Sequence, residues 1–346
     1  MRVLQLPANI ASQMSVTVSA LRSEGVEARG LTGPSIVQDI AGLELLPAQG
    51  GHVIRRAGAA AARYAKILTS IQWADVVHWH YGPALPGAFD LKAAQMLGKK
   101  RFVEFWGSDI RNPEIERADN AWYGAAFNDP GFECRSESAA NSIRTQSLFS
   151  KSGVTALIPS PGMARYVDRE LFPSFHRTAQ RVPVTDYQPV FPSEITARPL
   201  VVHAPTAPVC KGTRHILAAL ERLRSRFDFD FKLITGMPRQ EAGEWIRRCD
   251  VFVDQLIAGE YGLAAVEAMA LGKPVICFIK PSLLRDYPAG IPIRNANPDT
   301  VEEVLAQLLS DGSLRRRSGE EGRAWVEAHH DARKIARHLL ELYQVI

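Results

Sequence analysis

The sequence predicts an α/β protein built from two doubly wound parallel sheets, and three observations carry that prediction. Short apolar runs alternate with helix-period segments over the first 167 residues, the alternation lapses through a proline-rich stretch at 172–199, and it restarts at residue 200. With 346 residues, 46% of them apolar, the chain is long enough to fill two cores.

In the first half, residues 2–6 read as the opening strand, followed by a turn of small and polar residues from Pro7 to Ser12. A helix at 15–24 comes next, where Val16, Ala20 and Leu21 share a face and Gly25 ends it. Then come a strand at 26–31, an alanine-rich helix at 55–71 and a strand at 75–80, whose adjacent Val76 and Val77 suit burial on both faces. A helix at 91–97 stopped by Gly98 leads to a strand at 101–105, and residues 155–158 and 163–167 supply the last strand and helix of this half. Pro173, Pro183, Pro189, Pro192 and Pro199 then interrupt any hydrogen-bonded pattern, which marks the linker.

The second half runs strand 200–204, helix 213–223, strand 229–235, helix 239–248, strand 251–255, helix 262–271 and strand 275–279. Helices at 298–309, 314–329 and 332–343 finish the chain. The last has no strand after it and is expected to pack back on the first half. The expected domains are therefore 1–190, rejoined by 331–346, and 191–330. Two such sheets are expected to face each other across a cleft, with function in the loops at their carboxyl strand ends.

Lys plus Arg total 41 against 37 Asp plus Glu, a net +4 that carries no nucleic-acid or membrane signature. No apolar run reaches the length of a membrane span, and the residues from Met1 to Pro7 lack a signal-peptide pattern, so a cytoplasmic location is expected. Cys134, Cys210, Cys249 and Cys277 have no C-x-x-C spacing, which predicts reduced, mostly buried thiols and no zinc site.

Three constellations can carry chemistry. The first runs from Asp250 to Ile276, where a helix starting near Gly262 would turn its free N–H groups toward a phosphate. Glu267 on that helix would offer a carboxylate to sugar or ribose hydroxyls. Its neighbours Ala264, Ala265, Ala268, Met269 and Ala270 mark a hemmed-in helix where an unpaired carboxylate is costly. In the second, a strand ending at His203 leads to Lys211-Gly212-Thr213 at a helix entrance. There Lys211 opposes the helix dipole unless an anion is bound, Gly212 permits close backbone approach and Thr213 caps the helix.

The third places Trp106, Gly107, Ser108, Asp109 and Arg111 in a turn after a strand, near Asn9 and the pair His78 and His80. Ser108, Asp109 and Arg111 suit hydroxylated acceptors, while the two histidines fit equally a satisfied core pair or an acceptor-side pair. Asp228-Phe229-Asp230 matches a D-x-D metal pattern but opens a strand, which points it away from the cleft, and Arg315-Arg316-Arg317 reads as a solvated helix face.

Lys211-Gly212-Thr213, followed by the run from Glu260 and Tyr261 through Gly262 and Glu267 to Val275, resembles the GT-B fold, family 4-like glycosyltransferases (glycosyl transferases group 1). The resemblance spans nearly the whole chain, with the specific motifs in the second half. It implies a GT-B architecture, a nucleotide diphosphate sugar held by the second domain, a small acceptor against the first, retention of anomeric configuration, and neither metal nor cofactor. Carried over, Lys211 binds the donor diphosphate and Glu267 the ribose. Gly212, Thr213, Tyr261, Gly262 and Leu263 line the donor, and Glu260 and Asp109 join Lys211 and Glu267 near the reacting centre.

Three positions depart from the family: Thr206 stands where a second diphosphate-binding arginine is usual, Gly259 where the first of two glutamates is usual, and Trp106 where a histidine often opens the turn. Retaining glycosyl transfer is thus the leading expectation. A sugar-nucleotide epimerase and a pseudo-glycosyltransferase that only binds are the alternatives. The first strand leads into Pro7 and Ala8 without G-x-G-x-x-G, which argues against a dinucleotide oxidoreductase.

Overall fold

The computed structural model describes residues 1–35, 38–47 and 53–346. They form two compact units, one of Met1–Asn112, Glu137–Pro183 and Ala332–Ile346, the other of Pro113–Ser136 and Val184–Asp331.

The first unit is built on seven parallel strands: β1 (Arg2–Pro7), β2 (Glu27–Thr32), β3 (Glu44–Leu45), β4 (Val76–His80), β5 (Lys100–Glu104), β6 (Thr155–Ile158) and β7 (His176–Arg177). Their order, β3-β2-β1-β4-β5-β6-β7, places the reversal of winding between β1 and β4, where Leu4 pairs with Val77 and Pro7 with His80. Every residue of β4 is buried, as a strand covered by helices on both faces requires. Val3, Val18, Leu21, Val76 and Phe102 form the core together with Ile335, Leu339 and Tyr343 of the helix Ala332–Val345, so the end of the chain closes this sheet. Lys100 Nζ fastens that helix by donating to the Tyr343 carbonyl at 2.7 Å.

The second unit holds β8 (Leu200–His203), β9 (Asp230–Leu233), β10 (Val251–Val253), β11 (Val275–Cys277) and β12 (Arg294–Asn295), all parallel, in the order β12-β11-β10-β8-β9. Its winding reverses between β8 and β10, where His203 pairs with Val253. Val201, Ile216, Leu220, Val251, Ile276, Leu305 and Leu308 fill this core.

Residues 113–136 pack with the second unit although strands of the first surround them in sequence. Their helices Pro113–Asp119 and Ala121–Phe127 are too short to show a period, and tertiary contacts hold them. Tyr123, Ala126 and Phe132 bury against Ile257, and Asn120 donates to the Ile257 carbonyl at 2.7 Å while accepting from Tyr123 N at 3.1 Å. The Lys280 ammonium, 1% exposed, sits on Glu116 at 2.8 Å and Asp119 at 3.2 Å. Asp228 and Asp230 pair with Arg198 at the exposed start of β9. Arg315 is an exception to the solvated face expected of its run. It is 1% exposed and donates to the Leu308 and Leu309 carbonyls.

Candidate active site

Ligands of open α/β sheets bind outside the carboxyl ends of the strands at the point where winding reverses. In the second unit that point is the ends of β8 and β10, and the second-half residues singled out by sequence gather there. His203 closes β8. Its Nδ1–H donates to the Val253 carbonyl at 2.8 Å, so Nε2 accepts the Thr213 hydroxyl at 2.9 Å. Thr213 is therefore held by an imidazole and does not cap the helix Thr213–Leu223. The cap position belongs to Gly212, at φ 75°, and no side chain caps there. A Cβ at Gly212 would meet Leu256 at 3.2 Å and Ile257 at 3.1 Å, so the close approach it permits is to its own fold.

Burial lowers the His203 pKa from 6.5 to about 4, which keeps the ring neutral. A depressed folded-state value gives stability that is present above pH 6.5 and lost as pH falls toward 4. Asp109, raised by burial from 3.8 to about 6, acts oppositely: its contribution is present below 3.8 and lost as pH rises through 6. Urea denaturation of the native chain and a His203→Gln variant isolates the histidine. Between pH 7 and 5 the native chain should lose about 2 kcal/mol more than the variant. Equal pH slopes would contradict a neutral His203.

Lys211 ends the short helix Pro208–Lys211 and directly precedes Gly212, the N-cap of the helix Thr213–Leu223, so it stands at the helix entrance expected from sequence. An internal anion, not a ligand, holds its ammonium there. Its Nζ donates to Asp254 Oδ1 at 2.6 Å, and Asp254 Oδ2 accepts the Gly262 N–H at 3.0 Å. Asp254 is 1% exposed, and the Lys211 side chain 15%. One carboxylate at the end of β10 thus joins the lysine to the N-cap of the helix Leu263–Ala270. It also uses the Gly262 N–H that the sequence reading gave to the donor.

Leu263 opens that helix, whose Ala265, Val266, Ala268 and Met269 are buried. Glu267 emerges on its remaining side, one fifth exposed. Tyr187 OH donates to Glu267 Oε1 at 3.1 Å and Arg239 Nη2 at 2.5 Å, which orients the carboxylate. Burial raises its pKa, with Arg239 and the Tyr187 hydroxyl opposing.

Tyr261 is structural: its buried hydroxyl bonds His330 Nε2 at 3.0 Å and its ring lies 5.3 Å from that of Tyr287. The same Tyr287 donates to Glu260 Oε2 at 3.3 Å. Gly259 stands at φ 78°, and a Cβ there would collide with the buried stem of Lys280, which Glu116 and Asp119 prevent from moving. No glutamate fits at residue 259 without disrupting that ion pair. Thr206 is exposed, and nearby Arg214 is engaged with Asp129 at 3.2 Å.

In the first unit, the turn after β5 is held by Asp109, whose Oδ1 accepts from Gly107 N at 2.7 Å and Ile110 N at 3.0 Å and whose Oδ2 accepts from Trp106 N at 2.9 Å. At 4% exposure it anchors the loop. Arg111 Nη1 pairs with Glu137 at 2.5 Å. Asn9 donates to the Asp39 carbonyl at 2.5 Å and accepts Ser15 N at 3.1 Å, so it too is structural. Ser108, exposed, bonds Tyr81 OH at 3.1 Å.

His78 and His80 resolve as a core pair, fully buried with ring centroids 4.5 Å apart. His78 Nδ1 lies 2.6 Å from Tyr343 OH. Trp106 Nε1 donates to His80 Nδ1 at 3.0 Å, so His80 Nε2–H donates to Gln5 Oε1 at 3.0 Å. Burial holds both rings neutral, with Arg181 adding to the effect. These histidines and Glu104 have metal-ligand spacing, within 4.8 Å. However, both His80 nitrogens are used and the Arg181 guanidinium already neutralises Glu104, so the set does not fit a cation.

Residues 229–325 match the family described as glycosyl transferases group 1, a span that includes Asp254, Gly262 and Glu267. Similar solved structures cover the whole chain. Sucrose-phosphate synthase from Thermosynechococcus elongatus has a TM-score of 0.66 at 14% identity, over 99% of this chain and 98% of that one. HepE from Anabaena, solved with UDP and glucose, has a TM-score of 0.64 at 13% identity over 100% of both chains. The chain has the GT-B fold, and part of its second unit matches the group 1 family. WaaG, a glycosyltransferase involved in lipopolysaccharide biosynthesis, is similar at a TM-score of 0.58 and 15% identity over 100% of both chains. No curated protein sequence matches.

Among the described residues, no helix is long and apolar enough to cross a membrane. Sequence reasoning missed three site residues. Asp254 carried a signal, a lone carboxylate ending an apolar strand. Arg239 and Tyr187 had none, because they reach Glu267 from 28 and 80 residues away.

Proposed function

We propose that the chain moves a sugar from a nucleotide diphosphate sugar to a small hydroxylated or amino acceptor, with retention of anomeric configuration and without a bound metal. The observation that carries this reading is the Lys211–Asp254–Gly262 linkage at the point where the second sheet reverses its winding. As the bond to the anomeric carbon lengthens, negative charge gathers on the departing diphosphate, and a largely buried ammonium is strongest against charge that develops there. Glu267, oriented by Tyr187 and Arg239, accepts ribose hydroxyls and fixes the nucleotide.

HepE has been solved in complex with UDP, with UDP and glucose, and with UDP-glucose, which supports the donor class. Retention and metal independence rest on the likeness to the family. Epimerisation would need a further acid and base, and Asp109 is committed to its own loop.

A thermal-shift screen of UDP-, GDP-, ADP- and TDP-sugars tests the donor, and NMR of the product tests the anomer. A rise in melting temperature with one nucleotide class and a product of unchanged configuration are expected. Sugar nucleotide isomerised without acceptor would point to an epimerase, and silence toward every donor would point to a binding protein.

A further inference from the structure

Two of the four cysteines meet where no sequence spacing foretold it. Cys134 and Cys210, 76 residues apart, place their Sγ atoms 3.1 Å from one another, and both side chains are partly exposed, whereas Cys249 and Cys277 are buried. The pair joins two different parts of the second unit. Cys134 ends the loop that follows the helix Ala121–Phe127, and Cys210 belongs to the turn Pro208–Lys211, immediately before the lysine. That loop already grips the turn, because Glu133 accepts Val209 N at 3.0 Å and Cys210 N at 3.1 Å through its two carboxylate oxygens. Phe132 and Tyr123 pack beneath it against Ile257.

We propose that Cys134 and Cys210 form an oxidative modification site, at which a low-molecular-weight disulfide converts the two thiols into an intramolecular disulfide that ties the 113–136 segment to the turn carrying Lys211. The sulfurs need to close by about 1 Å to reach disulfide length. The hydrogen bond to Cys134, followed by burial, raises the Cys210 thiol.

One of the two thiols, as thiolate, attacks the external disulfide and expels one thiolate, forming a mixed disulfide. The other thiol then gives up its proton and displaces the second thiolate. Both protons end on the departing thiols, so two protein thiols are oxidised and one external disulfide is reduced to two thiols. The closed bond fixes Glu133 over the backbone amides beside Lys211, an internal anion where a diphosphate would approach. Oxidation therefore weakens donor binding, a consequence that rests on the donor reading above.

The test treats the full chain with oxidised glutathione, traps remaining thiols with an alkylating agent and maps the peptides by mass. A linked Cys134–Cys210 peptide lighter by two hydrogens, with Cys249 and Cys277 alkylated only after unfolding, is expected. Cys134 and Cys210 recovered as separate thiols, or as lasting mixed disulfides, would overturn the site. Calorimetry with UDP-glucose then compares reduced and oxidised protein. Several-fold weaker binding on oxidation, reversed by dithiothreitol and absent in Cys134→Ser, is expected, and equal affinity would overturn the link to the lysine turn. Should reduced protein bind no UDP-glucose, the donor reading suffers, and the peptide map still decides the thiol site.

Discussion

Lys211→Ala is expected to lower kcat/KM for the sugar nucleotide at least tenfold, with most of the loss in kcat. A hydrogen bond to a charged group contributes about 1.5–3 kcal/mol, which corresponds to roughly tenfold to hundredfold in rate when the bond strengthens toward the transition state. The ammonium is 15% exposed on its side chain and fixed by Asp254, so little reorganisation is needed as the diphosphate departs. Glu267→Ala should also cost at least tenfold, but mainly in KM, because ribose contacts are the same in ground and transition states. Steady-state kinetics with the donor varied separates the two patterns. Near-normal kcat/KM of Lys211→Ala would remove the central residue of the proposed mechanism, and near-normal kcat/KM of Glu267→Ala would remove the ribose contact assigned to it.

Lys211 and Asp109 show what a sequence can disclose. Strand and helix order was legible because periodicity is local: Val76 and Val77 announce a buried strand, and both sheets lie close to the predicted residues. Lys211 and Glu267 were singled out because each lies in a short contiguous motif. The loop-anchoring bonds of Asp109 were not legible, because a carboxylate in a turn reads the same whether it faces a ligand or its own amides, and only the positions of the Trp106, Gly107 and Ile110 N–H groups show which bonds it makes. Residues 113–136 were unreadable for another reason. Their helices are held by Ile257 and Lys280, more than a hundred residues away, and no local pattern encodes that. The departure at Gly259 shares this cause, since only the fold brings the Lys280 stem against it.

Asp254→Ala should produce the largest loss of stability, about 3 kcal/mol, read as a fall in the urea midpoint. Removing one member of a buried ion pair typically costs about 3–5 kcal/mol, and the lower end applies because Lys211 keeps some contact with water. Two groups lose their acceptor, the Lys211 ammonium and the Gly262 N–H. They can be separated with a second variant, Lys211→Met combined with Asp254→Ala, which removes the stranded charge and leaves only the amide. If the pair is a true buried ion pair, the double variant recovers roughly half of the lost stability, since an unsatisfied amide alone costs about 1–3 kcal/mol. Transfer stays at least tenfold down in both variants, because each loses or misplaces the ammonium. Equal stability of single and double variants would mean that Lys211 escapes to solvent once Asp254 is gone. The carboxylate would then serve the Gly262 cap alone, and the preorganisation attributed to the lysine would fail with it.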